Sequence, residues 1–246
     1  MEKQFKLKTS DSHIIYGTLN TGASKSNSLV IFVHGLTGNS NEHIFYNAAH
    51  FFPQNGFDVV RFDLYSGDEG GRALSNCTVR IHAMDLETVF SSFKQDYKNI
   101  HIVGHSLGAP TIVLADISEA CSIVFWDPSD MLGLKDIVEG QERPLKQDKP
   151  SNNYIVDWGV EYLLGESMAQ EFKTLRPTEV AKKIQIPTKI IAAEGGNPRG
   201  SQEYFDCMNG LKELVVIKGA GHTFDEEGVE DQLFEETLKW VSKYSV

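Results

Sequence analysis

Cysteine is scarce in this chain of 246 residues. Cys77, Cys121 and Cys207 are far apart and odd in number, which argues against a disulfide framework and for free thiols in a reducing, cytoplasmic setting. Cations are outnumbered, 23 Lys and Arg against 34 Asp and Glu, for a formal net charge of −11. With the Lys and Arg residues unclustered, neither nucleic acid nor an anionic membrane is an expected partner. No apolar run reaches the length of a membrane span, and the amino terminus enters alternating sequence without an apolar signal core. Cys and His lack the spacing of metal ligands, so neither a metal nor another cofactor is expected. Internal repeats and low-complexity tracts are also missing. What is present, 41% hydrophobic and 10% aromatic residues, suits one α/β domain with a sizeable core and room for a small insertion.

Strand and helix signals alternate along the chain. Residues 4–8 and 12–19 alternate apolar and polar side chains and predict an edge hairpin with Ser10 and Asp11 near its turn. Residues 28–33, Ser-Leu-Val-Ile-Phe-Val, form a continuous apolar run, the pattern of a strand buried on both faces of a parallel sheet. Similar runs recur at 57–63, 99–103, 121–126, 187–193 and 214–217. Helical periodicity falls between them at 42–52, 79–93, 201–208 and 229–244. The expected fold is therefore α/β, with a mainly parallel eight-stranded sheet and helices on both faces. Residues 129–182 break the rhythm. They contain no convincing strand, and Ile155, Trp158, Tyr162 and Leu163 fall at helical spacing, continued by Met168, Phe172 and Leu175. The expected organisation is a core of 1–128 and 183–246 with a small helical cap, 129–182, inserted after the sixth strand.

Gly104-His-Ser-Leu-Gly108 carries the most chemistry. It is a G-x-S-x-G sequence between a strand and a helix, where a sharp turn lifts a serine hydroxyl clear of the sheet. Ser106 is the candidate nucleophile. A serine hydroxyl needs a base within hydrogen-bond reach and an acid to orient that base. In an open parallel sheet these groups gather at the carboxyl ends of the strands. His222 follows the last strand in a Gly-rich loop and is the candidate base. His101 alternates within a strand as packing, and His105 shapes the turn. An oxyanion needs two backbone N–H groups; Leu107, directly after Ser106, and Leu36, in the loop after the 28–33 strand, are the expected donors.

His34-Gly-Leu-Thr-Gly38, Gly104-His-Ser-Leu-Gly108 and Gly221-His222, in that order, resemble the α/β-hydrolase superfamily. The resemblance runs from the edge hairpin to the final helix. The His-Gly-x-Thr-Gly-x-Ser form and the small cap are most similar to the feruloyl and cinnamoyl esterase and monoacylglycerol-lipase-like branch. The chain departs from the family at the acid. The usual Gly-x-x-Asp reads Ala-Glu-Gly-Gly-Asn-Pro over 193–198, with Gly196 or Asn197 where Asp would stand. Asp127, at the end of the preceding strand, is one substitute, as in some family members; Glu194 is another, and a water or Asn197 holding His222 is a third.

The resemblance implies a serine hydrolase acting on a small-molecule carboxylic ester, short or medium acyl or aromatic, through an acyl-enzyme. His34, Gly35, Trp158, Tyr162 and Leu163 are the expected substrate-binding residues. The same residues would equally serve a thioesterase, amidase or peptidase, and the missing Gly-x-x-Asp leaves open a degenerate binding module. Nothing in the sequence sets an oligomeric state.

Overall fold

A computed structural model describes residues 1–130, 135, 146–157 and 160–245. Its centre is β3 (Ser28–Val33), whose six residues are all buried. Beside it lie β4 (Asp58–Phe62) and β5 (Asn99–His105), both parallel to it. The first strands, β1 (Glu2–Lys8) and β2 (Ile14–Asn20), form the expected hairpin, and β2 joins β4 antiparallel. On the other side follow β6 (Ser122–Trp126), β10 (Thr188–Ala193) and β11 (Lys212–Ile217), all parallel. The eight-stranded order is β1-β2-β4-β3-β5-β6-β10-β11. Six strands thus end at one edge, and the order reverses between β3 and β5, the arrangement that opens a crevice for a site.

Two apolar clusters cover the faces of this sheet. On one, α2 (Val79–Phe93) and α3 (Gly108–Leu114) pack Leu86, Val89, Phe90, Ile112 and Val113 over Ile31, Ile102 and Ile123. On the other, α1 (His43–Gln54) and α7 (Val229–Lys243) bring Phe45, Phe52, Leu233 and Phe234 over Phe32, Val124 and Trp126. Helix α2 starts where Thr78 Oγ1 accepts the Ile81 N–H at 3.1 Å, capping an otherwise orphaned donor.

The insertion differs from its expected form. Residues 153–157 and 161–164 are strands: β7 (Lys146–Asp148), β8 (Asn153–Asp157) and β9 (Glu161–Leu164) form a separate antiparallel sheet. Ile155 pairs with Leu163 and Val156 with Tyr162, so Ile155, Tyr162 and Leu163 lie on paired strands and not on one helix. The period is two: Val156 and Leu164 are fully buried, while Leu163 is 41% exposed. The helical part comes next, as α4 (Glu166–Thr174) and α5 (Pro177–Ala181). Met168 and Phe172 on α4 and Leu175 beyond it are buried, as their spacing predicts. These side chains share one cluster with Leu36 and Leu107, so the insertion packs directly on the loops at the sheet edge. Helix α6 (Pro198–Cys207) begins three residues before its expected start, because the Asn197 side chain caps it by accepting the Gly200 N–H at 3.1 Å.

Candidate active site

Ser106 stands between β5 and α3 with φ +54°, left-handed for a non-glycine residue. Two glycines make the turn possible. A Cβ on Gly108 would lie 2.4 Å from the Val33 carbonyl oxygen, and one on Gly104 would lie 2.8 Å from the Gly108 carbonyl carbon. Helix α3 can therefore start so close to β3 and β5 only with both side chains absent.

His222 Nε2 lies 3.0 Å from Ser106 Oγ. Its Nδ1 lies 2.5 Å from Asp127 Oδ2. Asp127 has no exposed surface and follows β6 with φ +40°. Its carboxylate also accepts the Ala193 N–H on Oδ1 at 3.1 Å and the Asn197 N–H on Oδ2 at 2.8 Å. Three N–H groups thus converge on one buried carboxylate, the condition under which a charge can stay in the interior. Because Nδ1 must donate to Asp127, Nε2 presents a lone pair to the Ser106 hydroxyl. Glu194 is engaged elsewhere: its Oε2 accepts the Gly219 N–H at 2.9 Å, which secures the loop leading to His222. Asn197 contributes a backbone N–H to Asp127, while its side-chain amide donates to the Pro128 carbonyl at 2.9 Å.

The loop after β3 approaches from the other side. A Cβ on Gly35 would meet Ser106 Cβ at 3.0 Å. His34 is buried, with 1% exposure. Its Nε2 accepts the Leu64 N–H at 3.0 Å, so Nδ1 carries the proton and donates to the Gly35 carbonyl at 2.8 Å. Burial lowers the His34 pKa, which keeps the ring neutral as this pattern requires. A trans peptide sets C=O and N–H in opposite directions. Fixing the Gly35 carbonyl therefore fixes the direction of the Leu36 N–H. Among the described residues, neither the Leu36 nor the Leu107 N–H has a hydrogen-bond acceptor.

Sequence reasoning missed two groups. Ser129 Oγ lies 2.9 Å from Ser106 Oγ, and the Ser129 N–H donates to the Ser106 carbonyl at 3.1 Å. No pattern marks a lone serine two positions after an Asp. Glu42, before α1, turns its carboxyl over Gly38, and its pKa is raised by burial, partly offset by the Asn39 N–H and by the fields of His43 and His222. His105 shapes the turn as expected: Nε2 donates to the His222 carbonyl at 2.8 Å, and burial, helped by neighbouring His222, pushes its pKa down to about 3. Tyr162 belongs to the inward side of β9, against the cluster containing Leu36 and Leu107. Leu163 is 41% exposed. Trp158 lies outside the described residues.

The comparisons agree with this architecture. Est1E from Butyrivibrio proteoclasticus is 19% identical, with 98% of each chain covered and a TM-score of 0.78. Ferulic acid-bound Est1E gives 18%, 98% of each chain and 0.82. The esterase Pf2001 of Pyrococcus furiosus is 18% identical over 99% of this chain and 93% of that one, with a TM-score of 0.72. At such identities the likeness carries the fold. No curated protein sequence matches. Among the described residues no helix is long and apolar enough to cross a membrane. A model of the alpha/beta hydrolase family matches residues 30–232, and with that match covering most of the polypeptide, the chain belongs to the alpha/beta hydrolase family.

Proposed function

We propose that this hydrolase cleaves carboxylic esters through an acyl-enzyme on Ser106. One observation carries the reading: the continuous line of 3.0 Å from Ser106 Oγ to His222 Nε2 and 2.5 Å from His222 Nδ1 to Asp127 Oδ2. Ser106 Oγ attacks the ester carbonyl as its proton passes to His222 Nε2. Asp127 holds the ring in the required tautomer and stabilises the imidazolium that forms. The Leu36 and Leu107 N–H groups take the oxyanion. His222 then returns the proton to the departing alcohol. A water loses its proton to the same nitrogen as it attacks the acyl carbon, and Ser106 recovers the proton as the acid leaves.

The side of the site next to the insertion is apolar, with Leu36, Leu107, Val156, Leu164 and Tyr162 in one cluster. This supports a short or medium acyl chain or an aromatic ester, and the likeness to an esterase recorded with ferulic acid favours the aromatic kind. An acid beside the His222 ring weighs against a degenerate binding module. A panel of p-nitrophenyl acetate, butyrate and octanoate, methyl ferulate, a matched thioester and a matched anilide tests the assignment. Turnover of the esters, abolished in Ser106→Ala, is expected. Turnover confined to the thioester or anilide would move the reaction to the other acyl-transfer classes.

A further inference from the structure

Two hydroxyls lie within 2.9 Å of each other in the site, those of Ser106 and Ser129. Proton accounting decides which one donates. His222 Nδ1 gives its proton to Asp127, so Nε2 can only accept, and the single Ser106 hydroxyl proton goes to it. The bond between the hydroxyls is then made with the Ser129 proton, and Ser106 Oγ accepts. The donor is held in place from three directions. Ser129 N–H is tied to the Ser106 carbonyl, the Asn197 amide holds the Pro128 carbonyl, and Asp127 is locked by its own three partners.

We propose that Ser129 is a catalytic residue that donates a hydrogen bond to Ser106 Oγ whenever that oxygen gains negative charge. The proposal rests on the assignment of Ser106 as nucleophile. Ser129 neither loses nor gains a proton. During attack, the Ser106 O–H bond breaks toward His222 as the Oγ–carbon bond forms and the carbonyl π pair becomes the oxyanion. In deacylation the Oγ–carbon bond breaks, and its electron pair returns to Oγ, which takes a proton from His222. In both steps the serine oxygen is more negative in the transition state than in the state before it, and a neutral donor there becomes a charge-assisted one. In the acyl-enzyme between them, Oγ is a weakly accepting ester oxygen, so the donor stabilises the ground state little.

This predicts a kinetic signature that positioning the leaving alcohol or the attacking water would not give. Each of those would affect one step alone, whereas a donor to Oγ acts on both. The test measures p-nitrophenol release from p-nitrophenyl acetate in a single turnover for acylation, and decay of the acetyl-enzyme by intact mass for deacylation. In Ser129→Ala both constants are expected to fall about tenfold, with KM nearly unchanged because KM depends on their ratio. Ser129→Cys, which keeps the size and weakens the donor, is expected to lie close to Ala; it decides the matter if the alanine protein does not fold. Wild-type rates in the variants, or a loss confined to one step with a shifted KM, would overturn the proposal. A wild-type protein that never acquires the acetyl group on Ser106 would instead remove the assignment beneath it.

Discussion

At position 196 a methyl group would lie 2.2 Å from Asp127 Oδ2. The carboxylate that holds His222 occupies the space where a side chain from the following strand's loop would stand, so an acid on Asp127 and a side chain at 196 exclude each other. The glycine that looks like a loss in the 193–198 stretch is the counterpart of the acid that follows β6. Gly196→Ala is expected to displace the carboxylate and lower kcat about 10²-fold, since a shift of about 1 Å in a positioned group costs that much. Steady-state kinetics on p-nitrophenyl butyrate would show it, and wild-type kcat would contradict it. Asp127→Asn is expected to cost about 10⁴ in kcat, because the imidazole then takes the wrong tautomer. Glu194→Gln, which changes only a loop contact to Gly219, is expected to cost less than about tenfold. The same assay compares them, and the reverse order would reassign the acid.

Among the elements, the insertion separates two periodicities that composition alone confuses. Ile155, Tyr162 and Leu163 fall at helical intervals, yet Val156 and Leu164 are the buried members of β8 and β9. Alternation from Tyr154 to Val156 and from Tyr162 to Leu164, with Asn152 at φ +58° turning the chain before β8, is the signal that helical spacing masked. Strands this short offer too few positions to tell a period of two from one of 3.6. The core was legible for the opposite reason: runs such as 28–33 are apolar at every position, and the 79–93 helix holds its period for four turns. Ser106, His222 and the Leu36 loop were legible because glycines mark their turns. The contact of Ser129 with Ser106 was not, because it arises from the packing of the 127–129 segment against that residue. Burial also sets the expected stabilities. Leu164→Ala is expected to lose about 2–5 kcal/mol and Leu163→Ser to stay within about 0.5 kcal/mol of wild type, measured by urea unfolding. Equal losses would restore a helical face.

Over the whole molecule, folding ties the edge hairpin to the helical layer through one buried cation. Arg72, 6% exposed, donates to Asp11 near the hairpin turn and to Asp85 on α2. Burial raises the Asp85 pKa from 3.8 to about 6, partly offset by Arg72. The folded carboxyl therefore binds its proton more tightly than the unfolded one. Its contribution to stability is present below about pH 4 and is lost as the pH rises through about 6. Asp85→Asn is expected to lessen the decline in stability between pH 4 and pH 6, read from urea midpoints. An unchanged slope would remove Asp85 as its cause.

Every proposed step needs an activated Ser106 where β5, β6 and the loop after β11 converge. Fluorophosphonate labelling followed by intact mass and peptide mapping tests this most directly. The expected result is one adduct per chain, on Ser106, absent in Ser106→Ala and formed far more slowly in Asp127→Asn. A wild-type protein that stays unlabelled while folded, or an adduct on another residue, would contradict it.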